Sequence, residues 1–463
     1  MNRRAFTMIE MLVSLAITMI MMLAVVTLFQ VMTDSVSGSR ALLEAGDRLR
    51  ACRNRLQADL QGATATMLPP LRPENDEGYF EIIEGSNSDR TFSASASIFG
   101  DADDALMFTV RSRGEPFVGK LSTSSSGTIE SQVAEVIYFT KQNGPVIDPT
   151  TTPPTQLFTL YRRVLLVAPG ITSISTPAIP AAINGFYDRN DISARFTTTA
   201  GGTPTFMVAN TLGDLTKREN RFAHYGASYP ATFPFNVNTV VPPAGSTLTP
   251  TQPNNNAAMA PLGPMTTPPE TRLGDDVLMT NVLAFDVQVY DQNAPVQVSG
   301  GVAICPPDAG FNTTAAPTTT GAYADLGYVY SNASTTPLFN NASARAVSPA
   351  GAATAAKIFL NPTLPAFGAT TTSTTYDTWS LHYENNGIAD NLNATLPADA
   401  GTNGLDDNVL GEVGYGVVDD VNEFDTQPPF ADPLRGIRVI VRVYEPSSQQ
   451  VREIVVMQDF LPE

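Results

Sequence analysis

Cysteine, histidine and tryptophan are almost missing from this chain: its 463 residues include two Cys, two His and one Trp. Two thiols, Cys52 and Cys305, cannot build a disulfide scaffold, and with only His224 and His382 beside them they exclude a Cys/His zinc cluster. Histidine acid–base chemistry is equally short of parts. Each His stands alone, in RFAHYG and SLHYEN, and reads as a structural or surface residue. Charge is sparse at 16%, and positive charge sparser still: 27 Lys+Arg face 45 Asp+Glu, a formal net charge of −18. Such an acidic surface argues against nucleic acid or an anionic lipid face as the main partner. Against these shortages stands 43% hydrophobic residues, enough for a sizeable core in one or two folded units.

The largest apolar run is at the start, MNRRAFTMIEMLVSLAITMIMMLAVVTLFQVM. From Phe6 to Met32 only Glu10 carries charge, and a bilayer core takes roughly 20 helical residues, so the run reads as a transmembrane helix rather than a short secretory signal. Arg3 and Arg4 ahead of it hold the amino end in the cytoplasm, which puts everything after about residue 33 outside. Glu10 is the anomaly. A carboxylate inside a span costs on the order of 3 kcal/mol unless it is paired or close to the interface.

The stretch RRAFTMIEMLVSLAI resembles the leader and first helix of type IV prepilins and pseudopilins, in which a short basic leader ends in a small residue, an aromatic follows, and a Glu comes five positions into the mature chain. Here those positions are Ala5, Phe6 and Glu10; the family usually has Gly where Ala5 stands. The resemblance implies that prepilin peptidase cuts between Ala5 and Phe6, removing residues 1–5, and methylates the new amine of Phe6. It also implies that residues 6–32 are the assembly helix. The Glu10 carboxylate would then meet the Phe6 amine of a neighbouring subunit, so that two costly charges become tolerable when helices stack in register.

Past the membrane the pattern becomes one-sided. Leu42, Ala45, Leu49, Cys52, Leu56 and Leu60 recur at spacings of three and four, with Arg40, Asp47, Arg48, Arg50, Arg53, Arg55 and Asp59 between them, which predicts an amphipathic helix over about 33–66. A bend is expected near Gly38 or Gly46, and Pro69 and Pro70 are expected to close the helix. Cys52, on the apolar face, reads as a buried thiol ahead of a bond to Cys305, although an extracytoplasmic compartment would allow that bond.

The remainder, 67–463, reads as a β-rich head. Tyr79–Ile83, Ala105–Val110, Val133–Lys141, Leu157–Val167, Val282–Tyr290, Ile437–Glu445 and Val451–Met457 are β-branched and aromatic, several with apolar/polar alternation. Helix first and strands after give an α+β fold: a long amino-terminal helix packed on antiparallel sheet. EVIYFTKQ, LFTLYRRVLL, NVLAFDVQVYD, LRGIRVIVRVYEP and QVREIVVMQDF together are similar to the J-type minor pseudopilins of type II secretion systems. Residues 143–156, 168–275 and 306–375 are rich in Thr, Pro, Ala and Asn and are expected to be irregular insertions without an ordered core of their own; that family is usually much shorter.

One dense acidic stretch remains, about 384–427. Asp399, Asn403, Asp406 and Asp407 surround Gly404, and Asp419, Asp420, Asn422, Glu423 and Asp425 follow, hard oxygen ligands of the kind calcium prefers. The spacing is not that of an EF-hand, since the third position from Asp399 is Gly401 and the twelfth is Leu410. A solvated cluster of acidic turns is the favoured reading and a calcium site the alternative. The pairs Asp103/Asp104 and Asp275/Asp276, each just before a strand, read as turn residues. HExxH, GxSxG and a Walker loop are absent, and GEVGYG at 411–416 lacks the spacing of a dinucleotide fingerprint. The expectation is a non-enzymatic subunit without cofactor, anchored by a single pass in the inner membrane with its head in the periplasm, whose partners are prepilin peptidase and other pilin-like subunits. A surface type IV pilin or adhesin and a membrane-anchored binding protein are the rival readings.

Overall fold

The computed structural model describes residues 7–68, 75–84, 104–121, 127–148, 155–171, 190–198, 204–216, 220–222, 277–306, 310–340, 375–379 and 432–460, with Ala102, Ile174, Asp308 and Phe430. One helix, α1 (Met8–Gln61), runs for 54 residues and is unbroken at Gly38 and Gly46. It ends well before Pro69 and Pro70. The terminator is Gly62, whose N–H bonds to the carbonyls of Ala58 and Asp59, and whose missing side chain admits the Arg111 carbonyl to 2.7 Å from where a Cβ would stand.

All seven expected strands are present, and seven more accompany them. In chain order they are β1 (Phe80–Ile83), β2 (Ala105–Arg111), β3 (Phe117–Lys120), β4 (Thr128–Ser131), β5 (Val133–Asp148), β6 (Thr155–Leu166), β7 (Ala194–Thr198) and β8 (Pro204–Ala209). There follow β9 (Val277–Ser299), β10 (Val302–Ile304), β11 (Thr319–Ala324), β12 (Thr375–Asp377), β13 (Gly436–Glu445) and β14 (Gln450–Asp459). Ten of them form one antiparallel sheet in the order β12-β1-β2-β5-β6-β9-β13-β14, with β10 and β11 also paired to β9. The long β9 makes this possible by changing partner along its length: Val277–Val282 faces β6, Val282–Val289 faces β13, and its later residues face β11.

Leu49, Cys52, Leu56 and Leu60 of α1 are all at most 3% exposed and join the main core with Val456 of β14 and Val439 and Val441 of β13. Each buried Leu contributes about 2 kcal/mol. The apolar first half of α1 is uncovered among the described residues: Met8 is 86% exposed and Phe29 65%.

All three expected insertions hold more order than their composition suggested: β5 runs on to Asp148 and β6 starts at Thr155, so 143–148 and 155–156 are strand. Within 168–275, β7 and β8 pair with each other, and Ile192, Met207, Leu215 and Phe222 enter the main core. The anchor is Arg221, fully buried, which donates to Glu81 and Asp377 at 2.8 Å each and to the Leu215 carbonyl at 2.9 Å, with its guanidinium 3.9 Å from the Tyr79 ring centre. Within 306–375, Ala322, Ala324, Tyr328 and Tyr330 build a small second core with Ala294 and Val296 of β9. Low-complexity composition disfavours an independent core, but these segments borrow one from the sheet. Asp104 is likewise no turn residue: it is buried, and its carboxylate accepts the Val287 N–H at 2.7 Å.

Candidate assembly site

The start of α1 is organised by Thr7 and Glu10. Thr7 is extended (φ −77°, ψ 150°) and caps the helix; its Oγ1 accepts the Glu10 N–H at 3.4 Å, while its own N–H and hydroxyl both donate to Glu10 Oε2 at 2.9 Å. This reciprocal box satisfies donors that a helix start otherwise leaves open. It also supplies Glu10 with two donors from its own chain, so the carboxylate does not depend on a neighbour for every bond. Its Oε1 carries no hydrogen bond among the described residues. Ala5 and Phe6 lie outside those residues.

Beyond Glu10 the hydroxyls of Ser14, Thr18, Thr27 and Thr33 each bond back to a helix carbonyl three or four residues earlier. These four hydroxyls are thereby satisfied within the helix, which is what an apolar surrounding demands. By length and composition this helix can cross a membrane.

The other end of the helix is fixed by a polar lock that the sequence pattern missed. Asp59, counted above among the polar-face residues, is 4% exposed. Arg162 of β6 grips it with two prongs, Nε to Oδ2 at 2.6 Å and Nη2 to Oδ1 at 2.9 Å, and Tyr138 of β5 donates to Oδ2 at 2.5 Å. Burial, and then the charge of Asp59, hold the Tyr138 hydroxyl protonated well above its usual range. For Arg162 burial works against the charge, and the bonds to Asp59 outweigh it, so the guanidinium is raised. The one available signal was chemical: Arg162 sits in LFTLYRRVLL, an otherwise apolar strand.

Cys52 and Cys305 are both free thiols; Cys52 is buried, and burial pushes it up to about 12. The calcium candidates Asp399, Asn403, Asp406, Asp407, Asp419, Asp420 and Glu423, and with them His224 and His382, lie outside the described residues. Among the described residues no cluster of His, Cys, Asp or Glu has the make-up of a metal site.

Residues 1–26 match the family model of the prokaryotic N-terminal methylation motif. With the capped apolar helix that starts inside this match, the motif supports a type IV prepilin-like amino terminus, of the kind prepilin peptidase processes. No curated protein and no solved structure matches the chain.

Proposed function

We propose that the protein is a minor pseudopilin-like subunit: non-enzymatic, without cofactor, cut between Ala5 and Phe6, methylated at Phe6, and assembled through α1 into a periplasmic pseudopilus that serves protein secretion. The observation that carries this reading is Glu10 at the fifth mature position, boxed to Thr7 by Oε2 with Oε1 open, at the head of a helix whose apolar half has no cover in its own head. A neighbouring Phe6 amine supplies what Oε1 lacks, and neighbouring helices supply the cover. The likeness of β5, β6, β9, β13 and β14 to J-type minor pseudopilins supports the narrower assignment. So does the bulk of the head, which suits a tip better than a repeating shaft.

Glu10→Leu tests this in cells. Membrane insertion and trimming should persist while the subunit disappears from the assembled fraction. Incorporation at the wild-type level would overturn the reading.

A further inference from the structure

We propose that the open edge of β14 is a docking site for an extended strand from a different pilin-like subunit, which adds to the sheet beside it. The nature of the partner rests on the assembly reading above.

Main-chain geometry defines the edge. Phe460 N–H donates to Arg435 O at 2.8 Å, and the pairing continues in step as Ile437 with Gln458, Val439 with Val456 and Val441 with Ile454. In an antiparallel pair the hydrogen-bonded positions alternate, so the N–H and C=O groups of Val451, Glu453, Val455 and Met457 point away from β13. Among the described residues no strand pairs with them, and β14 stands last in the sheet order. Val451 is 40% exposed and Met457 53%. Edges of this length are normally blunted by proline, lysine or a covering segment, because a bare row of donors and acceptors recruits a strand. The sequence QVREIVVMQD contains neither residue.

The side chains add selectivity. Val451, Val455 and Met457 share the outer face with Tyr444, Ile440 and Arg438 of β13, while Arg442 pairs with Glu453 at 2.6 Å. An incoming strand with apolar residues at alternate positions fits this stripe.

The partner is a different chain because a copy of this one offers poor complements. The opposite end of the sheet, β12, is three residues long and wholly buried. Two antiparallel β14 edges leave Glu453 badly matched in each central register: against Met457 when paired about Val455, against Val455 about Ile454, and against its own copy about Glu453. The same β13–β14 hairpin packs under α1, so a subunit stacked on that helix arrives beside this edge.

The test uses the full chain in cells, with a photo-cross-linking amino acid at Met457 and, separately, at Val13 in α1. The Met457 probe should capture a head-domain strand of another protein that bears a prepilin leader. Val455→Pro should abolish that cross-link with the melting temperature unchanged, because only an outward N–H is lost. Val455→Lys, which keeps the N–H and adds an edge charge, serves if the proline variant does not fold. Capture by Val13 without capture by Met457 overturns the edge proposal and spares the assembly reading. So does a Met457 cross-link into the same chain or a second copy, or one that survives both substitutions. Failure of both probes removes the assembly reading, and this proposal with it.

Discussion

Asp59 of α1 and Arg162 of β6 meet in a two-pronged ion pair, at 2.6 and 2.9 Å, inside the junction between helix and sheet. Leu49, Leu56 and Leu60 hold the helix laterally against the head, and the bidentate pair closed by Tyr138 fixes its register together with the Arg111 N–H bond to the Gly62 carbonyl at 2.8 Å. In an assembly built on the exposed half of α1, that register decides how the head is presented.

Removing one partner of this lock should cost more than removing both. Asp59→Ala leaves Arg162 buried without its carboxylate and should destabilise the head by about 3–5 kcal/mol. Asp59→Leu combined with Arg162→Leu should recover most of that. Chemical denaturation of the detergent-extracted chain measures both, and additive losses in the double variant would show that the pair does not act as a unit.

Alkaline pH should unfold the head through Cys52. Its thiol is held up to about 12 by burial, above the ordinary value of 9.0. Below 9 neither state is ionised; above it the unfolded chain gives up a proton that the folded chain keeps. Stability therefore falls as pH rises from about 9 to about 12, by on the order of 4 kcal/mol over the window. Cys52→Ala should remove the fall that begins near pH 9, ahead of the added fall from the raised Tyr138 hydroxyl, whose ordinary value is 10.0, and an unchanged slope just above pH 9 would contradict the assignment.

Arg221→Met should detach the segment around 190–222 before it unfolds anything else. The substitution strips the buried carboxylates Glu81 and Asp377 of a shared cation. Hydrogen exchange should show lost protection first in β7 and β8; simultaneous loss across the whole sheet would mean that Arg221 holds the global fold.

Calcium should not shift the melting temperature. Asp399, Asn403, Asp406, Asp407, Asp419, Asp420 and Glu423 are read as solvated turns. A rise on adding calcium that a chelator reverses would establish the site instead.

The strands that alternate apolar and polar residues, such as Ile437–Glu445, were legible because period-two burial leaves its mark in composition. So was the Leu49–Cys52–Leu56–Leu60 stripe. What escaped depends on partners far away in the chain: β7 and β11 are Thr- and Ala-rich pieces, and β8 a short run inside a low-complexity stretch, that pair only in the folded head, and Asp59 looks like any exposed helical acid until Arg162 is placed opposite it. At the candidate assembly site, Ala5, Phe6 and Glu10 are proposed from a compact sequence motif. The role of Thr7 was not legible there, since its box with Glu10 is a matter of hydrogen-bond geometry.

The most direct measurement is the mass of the amino-terminal peptide of the protein extracted from membranes of cells that process other prepilins. The account predicts a peptide that starts at N-methylated Phe6. An intact chain starting at Met1 in those cells would contradict it.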